Sequence, residues 1–163
     1  MSLSRWIAMA AAVLAIGWYT LGDDGRNAAG IGPEGVSINA DDPKQVKIGH
    51  KVYADNCASC HGANLEGQPN WKTRNANGRL PAPPHDASGH TWHHPDTMLF
   101  AITKYGTAAV LGQPVETDMP VFNGVLDDRE IAAVLAYIKS TWPADIRAKH
   151  DELNARARAA AEK

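Results

Sequence analysis

The sequence has very little cysteine and no excess of basic charge. Its two cysteines, Cys57 and Cys60, are too few for a four-cysteine zinc site, and once they are used together no thiol remains for a disulfide. The 16 basic side chains face 18 acidic ones, for a net charge of −2, a balance unlike that of nucleic-acid-binding proteins. With 163 residues of near-average apolar content, the chain is predicted to form one small globular domain with appendages.

The two cysteines lie in the motif Cys57-Ala58-Ser59-Cys60-His61. Two thiols on one helical turn can add to the two vinyl groups of a single porphyrin, and the histidine that follows then lies beneath the iron. A zinc half-site would need further cysteines or a histidine pair at finger spacing, and a thioredoxin-type redox pair would follow a strand and need no histidine. The motif therefore predicts one covalent haem c, held by Cys57 and Cys60, with His61 as an axial iron ligand.

An uncharged apolar run from Trp6 to Leu21 stands near the start of the chain. Arg5 precedes the run and two aspartates follow it, which predicts an export signal with its N-terminus inside. The run would span about 24 Å as a helix, close to a thin bilayer. Because no clear cleavage site follows, residues 1–22 are predicted to be an uncleaved transmembrane anchor, with a removed signal peptide as the alternative. The chain is then a single-pass protein of the cytoplasmic membrane with its haem domain in the periplasm.

Residues 23–42 are rich in glycine, asparagine and aspartate and carry almost no aliphatic pattern. This composition is typical of a flexible linker, whose root-mean-square reach would be about 25 Å. A domain on such a tether could move between neighbours in the same membrane. Residues 43–143 are predicted to form that domain.

Three segments of residues 43–143 have helical patterns. Pro43 is acceptable in a first turn that Asp41 or Asp42 can cap, and this helix runs into Cys57. A second helix is predicted over Pro95 to Tyr105, with Gly106 as its stop. The clearest helix covers Leu126 to Trp142, where apolar residues recur at helical spacing: Ile131, Val134, Leu135, Ile138 and Trp142.

Together with the cysteine motif, Gly49-x-x-x-Tyr53 in the first helix and Val134-x-x-Tyr137 in the last make residues 43–143 resemble the class I cytochrome c family. The resemblance implies an all-α cytochrome c fold around one covalently attached haem. It also implies that the first and last helices cross closely. A glycine in the middle of a helix is otherwise costly.

The resemblance extends to the long loop after the motif, which contains Leu80-Pro81-Ala82-Pro83-Pro84. In the family, a backbone carbonyl of such a segment accepts a hydrogen bond from the second ring nitrogen of the proximal histidine, here His61. Such a bond fixes the ring and tunes the metal. Family members often carry an aliphatic residue shortly after the proline, where this chain has His85.

The sixth iron ligand is predicted to be Met119. It precedes Pro120 in a loop with glycine and proline that can cross to the other haem face, and Met-Pro-x-Phe resembles the distal ligand motif of the family. The rivals are Met98, whose place in a helical apolar stripe favours a core role, and a histidine from the loop before it.

That loop carries four histidines, which could bind copper or another late transition metal or could simply face solvent: His85, His90, His93 and His94. Trp71, Arg79 and Trp92 are candidates to contact the haem propionates. Residues 144–163 are rich in alanine and charge, with only a thin apolar stripe. They are predicted to be an exposed helix or frayed tail, with docking to a partner as an alternative.

Ligation by His61 and Met119 would leave no open iron site for a small-molecule substrate, so the resemblance implies an electron carrier rather than an enzyme. The predicted partners are redox proteins in or at the membrane. One alternative is a cytochrome c subunit of a larger oxidoreductase or terminal oxidase. A second is a copper-handling or sensing haem protein that uses the histidine-rich loop.

Overall fold

The described part of the chain is mostly helical, as predicted. The computed structural model describes residues 30–31 and 36–163. In chain order the elements are β1 (Gly30–Ile31), β2 (Ser37–Ile38), α1 (Pro43–Asn56), α2 (Ala58–His61), a 3₁₀ turn (Thr91–His93), α3 (Asp96–Tyr105), α4 (Thr107–Leu111), α5 (Asp128–Ser140) and α6 (Ala144–Ala161).

An aspartate caps the start of both central helices, α1 and α5. The side chain of Asp42 accepts a hydrogen bond from the backbone N–H of Lys44 at 2.9 Å. Asp127 accepts one from Glu130 at 2.8 Å, and the Glu130 carboxylate in turn accepts from the backbone N–H of Asp127 at 2.9 Å. These caps satisfy donors that the first helical turn leaves without partners, so both helix starts are encoded locally.

Helices α1 and α5 cross in close contact at Gly49. A Cβ atom on Gly49 would lie 1.9 Å from the carbonyl oxygen of Ala133, so only glycine lets the two backbones approach this closely. One helical turn further on, the Tyr53 side chain is 1% exposed and its ring lies 5.4 Å from that of Tyr137. The predicted close crossing of the first and last helices of the domain is confirmed.

The folded domain begins earlier than the predicted end of the linker. Ser37–Ile38 pairs antiparallel with Gly30–Ile31, and Ile38 is 1% exposed in the hydrophobic core. Burying one isoleucine contributes about 1.5–3 kcal/mol, and the side chain of Gln45 adds hydrogen bonds to the carbonyl of Ser37 and from the N–H of Asn39, both at 2.7 Å. The predicted anchor and the rest of the predicted linker, residues 1–29 and 32–35, lie outside the described residues.

Among the described residues, no helix combines the length and apolar character needed to span a bilayer. The longest is α6, which the sequence predicted as exposed or frayed and which in fact docks on the domain. His150 and Asn154 of α6 are buried, with exposures of 0% and 3%. The docking was missed because buried polar side chains make much of the contact, beside the partly buried Ile146 of the thin apolar stripe.

Paired hydrogen bonds join α6 to the start of α3. The Asn154 side chain accepts from the backbone N–H of Asp96 at 2.8 Å and donates to its carboxylate at 2.9 Å. Nε2 of His150 donates to the carbonyl of His94 at 2.9 Å, and its Nδ1 faces the Asn154 amide at 3.3 Å. Lys139 lies 3.8 Å from the Asp96 carboxylate. The buried charges are therefore paired, as burial requires.

We expect Gly49→Ala to destabilise the domain, because the added methyl group would overlap the Ala133 carbonyl. Overpacking of this kind typically costs about 1–3 kcal/mol or more. Denaturant unfolding of the haem-loaded protein measures the effect. Lys47→Ala, at an exposed position of the same helix, is the control and should change the free energy of unfolding little. Equal stability of the two variants would contradict the close crossing.

Burial lowers the pKa of His150. A second proton on its ring would also place an N–H donor at Nδ1 against the NH₂ group of Asn154, which is itself a donor. The unfolded chain takes up this proton near pH 6.5 and the folded chain does so only at lower pH, so stability is lost as pH falls below about 6.5. We expect unfolding free energies to fall more steeply for wild type than for His150→Gln between about pH 7.5 and 5.5, by up to about 1.4 kcal/mol per pH unit. Parallel pH profiles would contradict this role.

Candidate haem-binding site

The cysteine motif lies on a short helix that continues directly from α1. Cys57 ends α1 and begins α2, and its carbonyl accepts from the backbone N–H groups of Cys60 and His61 at 3.1 and 2.9 Å. Both thiols are free, with Cys57 half-buried and Cys60 exposed. Burial raises the pKa of the Cys57 thiol to about 11. The Cys57 thiol is therefore protonated, and the two thiols lie on a single helical turn, as the motif predicted.

The imidazole of His61 is held by the loop that follows. His61 is 8% exposed, and its Nδ1 lies 2.9 Å from the carbonyl oxygen of Pro83. A carbonyl can only accept, so Nδ1 carries the proton and Nε2 is free to bind a metal. Burial lowers the pKa of His61, against a smaller opposite effect of this hydrogen bond. The contact predicted for the proline segment is thus present, and Pro83 provides it.

Backbone hydrogen bonds hold Pro83 in place. The N–H of Gln68 donates to the carbonyl of Ala82 at 2.8 Å, and the N–H of Ala82 donates to the Gln68 side chain at the same distance. Gly67 donates to the carbonyl of His61 at 2.7 Å. A Cβ at Gly67 would lie 2.4 Å from the nitrogen of Pro84, at a positive φ of 69°. Glycine here lets the loop pass close to the proline segment.

Met119 is half-buried and packs against the hydrophobic core. The loop that carries it is tied to the end of α3, because the N–H of Phe122 donates to the carbonyl of Thr103 at 3.2 Å and that of Asn123 to Lys104 at 2.9 Å. The rival methionine, Met98, lies on α3 and is also half-buried. Ligation by Met119 therefore stays a prediction.

Arg79 joins the proline segment to the Met119 loop. Its guanidinium pairs with the carboxylate of Asp118, and Nη2 lies 3.4 Å from that of Glu116. Its Nε is buried and has no hydrogen-bond partner among the described residues. A buried donor without an acceptor is costly, so this atom fits a ligand oxygen such as that of a haem propionate.

The two tryptophans predicted as further propionate contacts have protein partners. Trp92 donates to the carbonyl of Ala87 at 3.3 Å, and Trp71 stacks on His90 with ring planes 7° apart. Of the three candidates, Arg79 is the one with a buried donor that lacks a partner among the described residues.

The four loop histidines do not converge on one point. His85 stacks on His61, His90 on Trp71 and His93 on Trp92, while His94 meets His90 edge to face at 5.4 Å. In the described ranges, no three histidine, cysteine or acidic side chains form a group that could hold a metal ion. The copper-handling alternative thus gains no support from this loop.

Comparison with known proteins identifies the fold. Residues 46–142 match the family model for cytochrome c, which is more than half of the chain. The chain belongs to the cytochrome c family.

This cytochrome c is 28% identical over 100 residues to the gluconate 2-dehydrogenase cytochrome c subunit of Pantoea cypripedii. The matched region covers 59% of this chain and 20% of that relative, so the chain spans about a fifth of the relative's length. No solved structure matches the chain.

Family membership implies covalently bound haem c, and the residues of this cytochrome c fit that cofactor. Cys57 and Cys60 offer two free thiols on one turn, His61 presents a neutral Nε2, and Arg79 offers a buried unpaired donor. Sequence reasoning missed the contact of His85 with His61. The available signal was its position directly after the proline segment, where the family often has an aliphatic residue.

Proposed function

We propose that this cytochrome c transfers single electrons through a haem whose iron is ligated by His61 and Met119. The observation that carries the proposal is the hydrogen bond of His61 Nδ1 to the Pro83 carbonyl at 2.9 Å. It fixes the tautomer and directs Nε2 toward a metal, as metal-ligating histidines generally require. Met119 is the candidate for the opposite face because its loop is anchored to α3 through the backbone N–H groups of Phe122 and Asn123.

When bound, the haem supplies an iron that alternates between the ferrous and ferric states. We expect the surrounding residues to move little when the iron changes its oxidation state. His61 is held by a backbone carbonyl, and that carbonyl belongs to a segment that hydrogen bonds hold in place. Two protein ligands would also leave no open coordination position for a substrate. This arrangement suits outer-sphere electron transfer.

We also propose that residues 1–22 anchor the protein in the cytoplasmic membrane, with the haem domain in the periplasm. Support comes from the uncharged run Trp6 to Leu21 and the single arginine before it. Because Ile38 belongs to the core of the domain, the proposed tether would end before residue 38 rather than at residue 42.

A second candidate function is that of an electron-transfer subunit within a larger oxidoreductase. The similarity to a cytochrome c subunit of a gluconate dehydrogenase favours it. The docked helix α6 adds a rigid surface beyond the region that matches the family model, which ends at residue 142. Such a surface is available for a permanent partner.

We expect Met119→Ala to abolish the far-red absorption band that sulfur-to-iron ligation gives to the ferric protein, and to lower the reduction potential, because methionine ligation raises it. Optical spectroscopy and potentiometric titration measure both. Met98→Ala is the matched control and should keep the band. An unchanged band in Met119→Ala, or its loss in Met98→Ala instead, would contradict the assignment.

The anchor and the partners are tested by mild detergent extraction of native membranes, followed by size-exclusion separation at the haem absorbance. We expect the haem-loaded chain in the membrane fraction. Migration alone, with rapid reduction by a quinol-oxidising complex, is the result for a tethered carrier, whereas co-migration with a large oxidoreductase is the result for a subunit. Recovery of the full-length chain in the soluble periplasmic fraction would contradict the anchor.

A further inference from the structure

The imidazole of His85 lies face to face with that of His61. The ring centroids are 4.0 Å apart and the planes differ by 23°, which is the separation of two aromatic rings in direct stacking contact. His61 is thus restrained in two directions, by the Pro83 carbonyl at its Nδ1 edge and by the His85 ring on one face.

The ring of His85 is itself firmly held. Its Nδ1 lies 2.8 Å from the hydroxyl of Thr91, and that hydroxyl donates to the carbonyl of Pro84 at 3.4 Å. Because the hydroxyl has a single proton, the proton between His85 and Thr91 belongs to His85 Nδ1. This hydrogen bond keeps the ring from turning about its side-chain bonds and fixes the face that it presents to His61.

The backbone of His85 is fixed as well. Its N–H donates to the carbonyl of Leu65 at 2.8 Å, and its carbonyl accepts from the indole Nε1 of Trp142 at 2.8 Å. The ring therefore presents a fixed aromatic face to His61.

An aromatic face and an aliphatic side chain act differently on a ligand whose charge changes. The face of an aromatic ring carries negative partial charge and attracts cations, with energies of about 0.5–2 kcal/mol. An imidazole bound to ferric iron is more positive than one bound to ferrous iron. A stacked ring therefore favours the ferric state, which an aliphatic side chain of similar size does not do.

We propose that His85 is a positioning residue of this cytochrome c: its stacked ring fixes the plane of the His61 imidazole and lowers the reduction potential by stabilising the ferric state. The inference rests on the proposed ligation of iron by His61. It assigns to the neighbour of that ligand a role that neither the cysteine motif nor the family match provides.

The test compares four variants of the haem-loaded protein by potentiometric titration and by electron paramagnetic resonance of the ferric state, which reports the orientation of the axial ligand. We expect His85→Leu, which removes the ring, to shift the equilibrium toward ferrous iron by about threefold to tenfold. Since a tenfold change in a one-electron couple is 59 mV, the reduction potential should rise by up to about 59 mV. The electron paramagnetic resonance signal of the ferric protein should shift as well. His85→Phe keeps a stacked ring and should stay close to wild type in both measurements.

Thr91→Val keeps the shape at position 91 but removes the hydroxyl that holds the His85 ring, so we expect an intermediate effect. Asn154→Ala is the control for stability, because it should destabilise the protein at α6 and leave the potential unchanged. Equal shifts in His85→Leu and His85→Phe, or no shift in either, would overturn the role of the ring. A wild-type ferric spectrum without an axial histidine would refute the proposed ligation itself, whereas a normal spectrum with unshifted potentials refutes this inference alone.

Discussion

The close crossing of α1 and α5 at Gly49 is the contact on which the rest of the structure depends. Because no side chain separates the two backbones there, Tyr53 lies at the centre of the core, and its hydroxyl donates to the carbonyl of Gly62 at 2.9 Å. Gly62 directly follows the cysteine motif. The crossing thus fixes the motif from both ends, through the continuous helix before Cys57 and through Tyr53 after His61, so that the two thiols and the imidazole keep one relative arrangement.

The sequence allowed most of the fold to be predicted, because its signals are local. Capping aspartates, the prolines at helix starts and the spacing of apolar residues place α1, α3 and α5 within about two residues of their observed ends. The docking of α6 could not be predicted in this way. It depends on Asn154 and His150 meeting Asp96 and the His94 carbonyl, and pairing between polar side chains far apart in the chain leaves no periodic pattern. Ile38 was missed because a single buried residue has no period.

The same distinction holds at the candidate site. Cys57, Cys60 and His61 follow from a five-residue motif, and the proline segment was named as the source of the carbonyl for His61. The structure shows that the carbonyl of Pro83 accepts this hydrogen bond, at 2.9 Å from His61 Nδ1. No sequence motif predicted that the His85 ring stacks on His61. Its four-histidine neighbourhood suggested a metal site, yet the half-buried His85 is held by a hydrogen bond with Thr91 and stacks on His61 instead.

The two sides of the site are held by different physical means. On the His61 side the contacts are uncharged and enclosed, namely a backbone carbonyl and a neutral aromatic ring, and neither is weakened by dissolved salt. On the Met119 side, Arg79 is paired with Asp118 and Glu116, whose side chains are 61% and 75% exposed. Exposed ion pairs contribute little and are screened by salt. We therefore expect dissolved salt to weaken the ion pairs of Arg79 more than the contacts of His61.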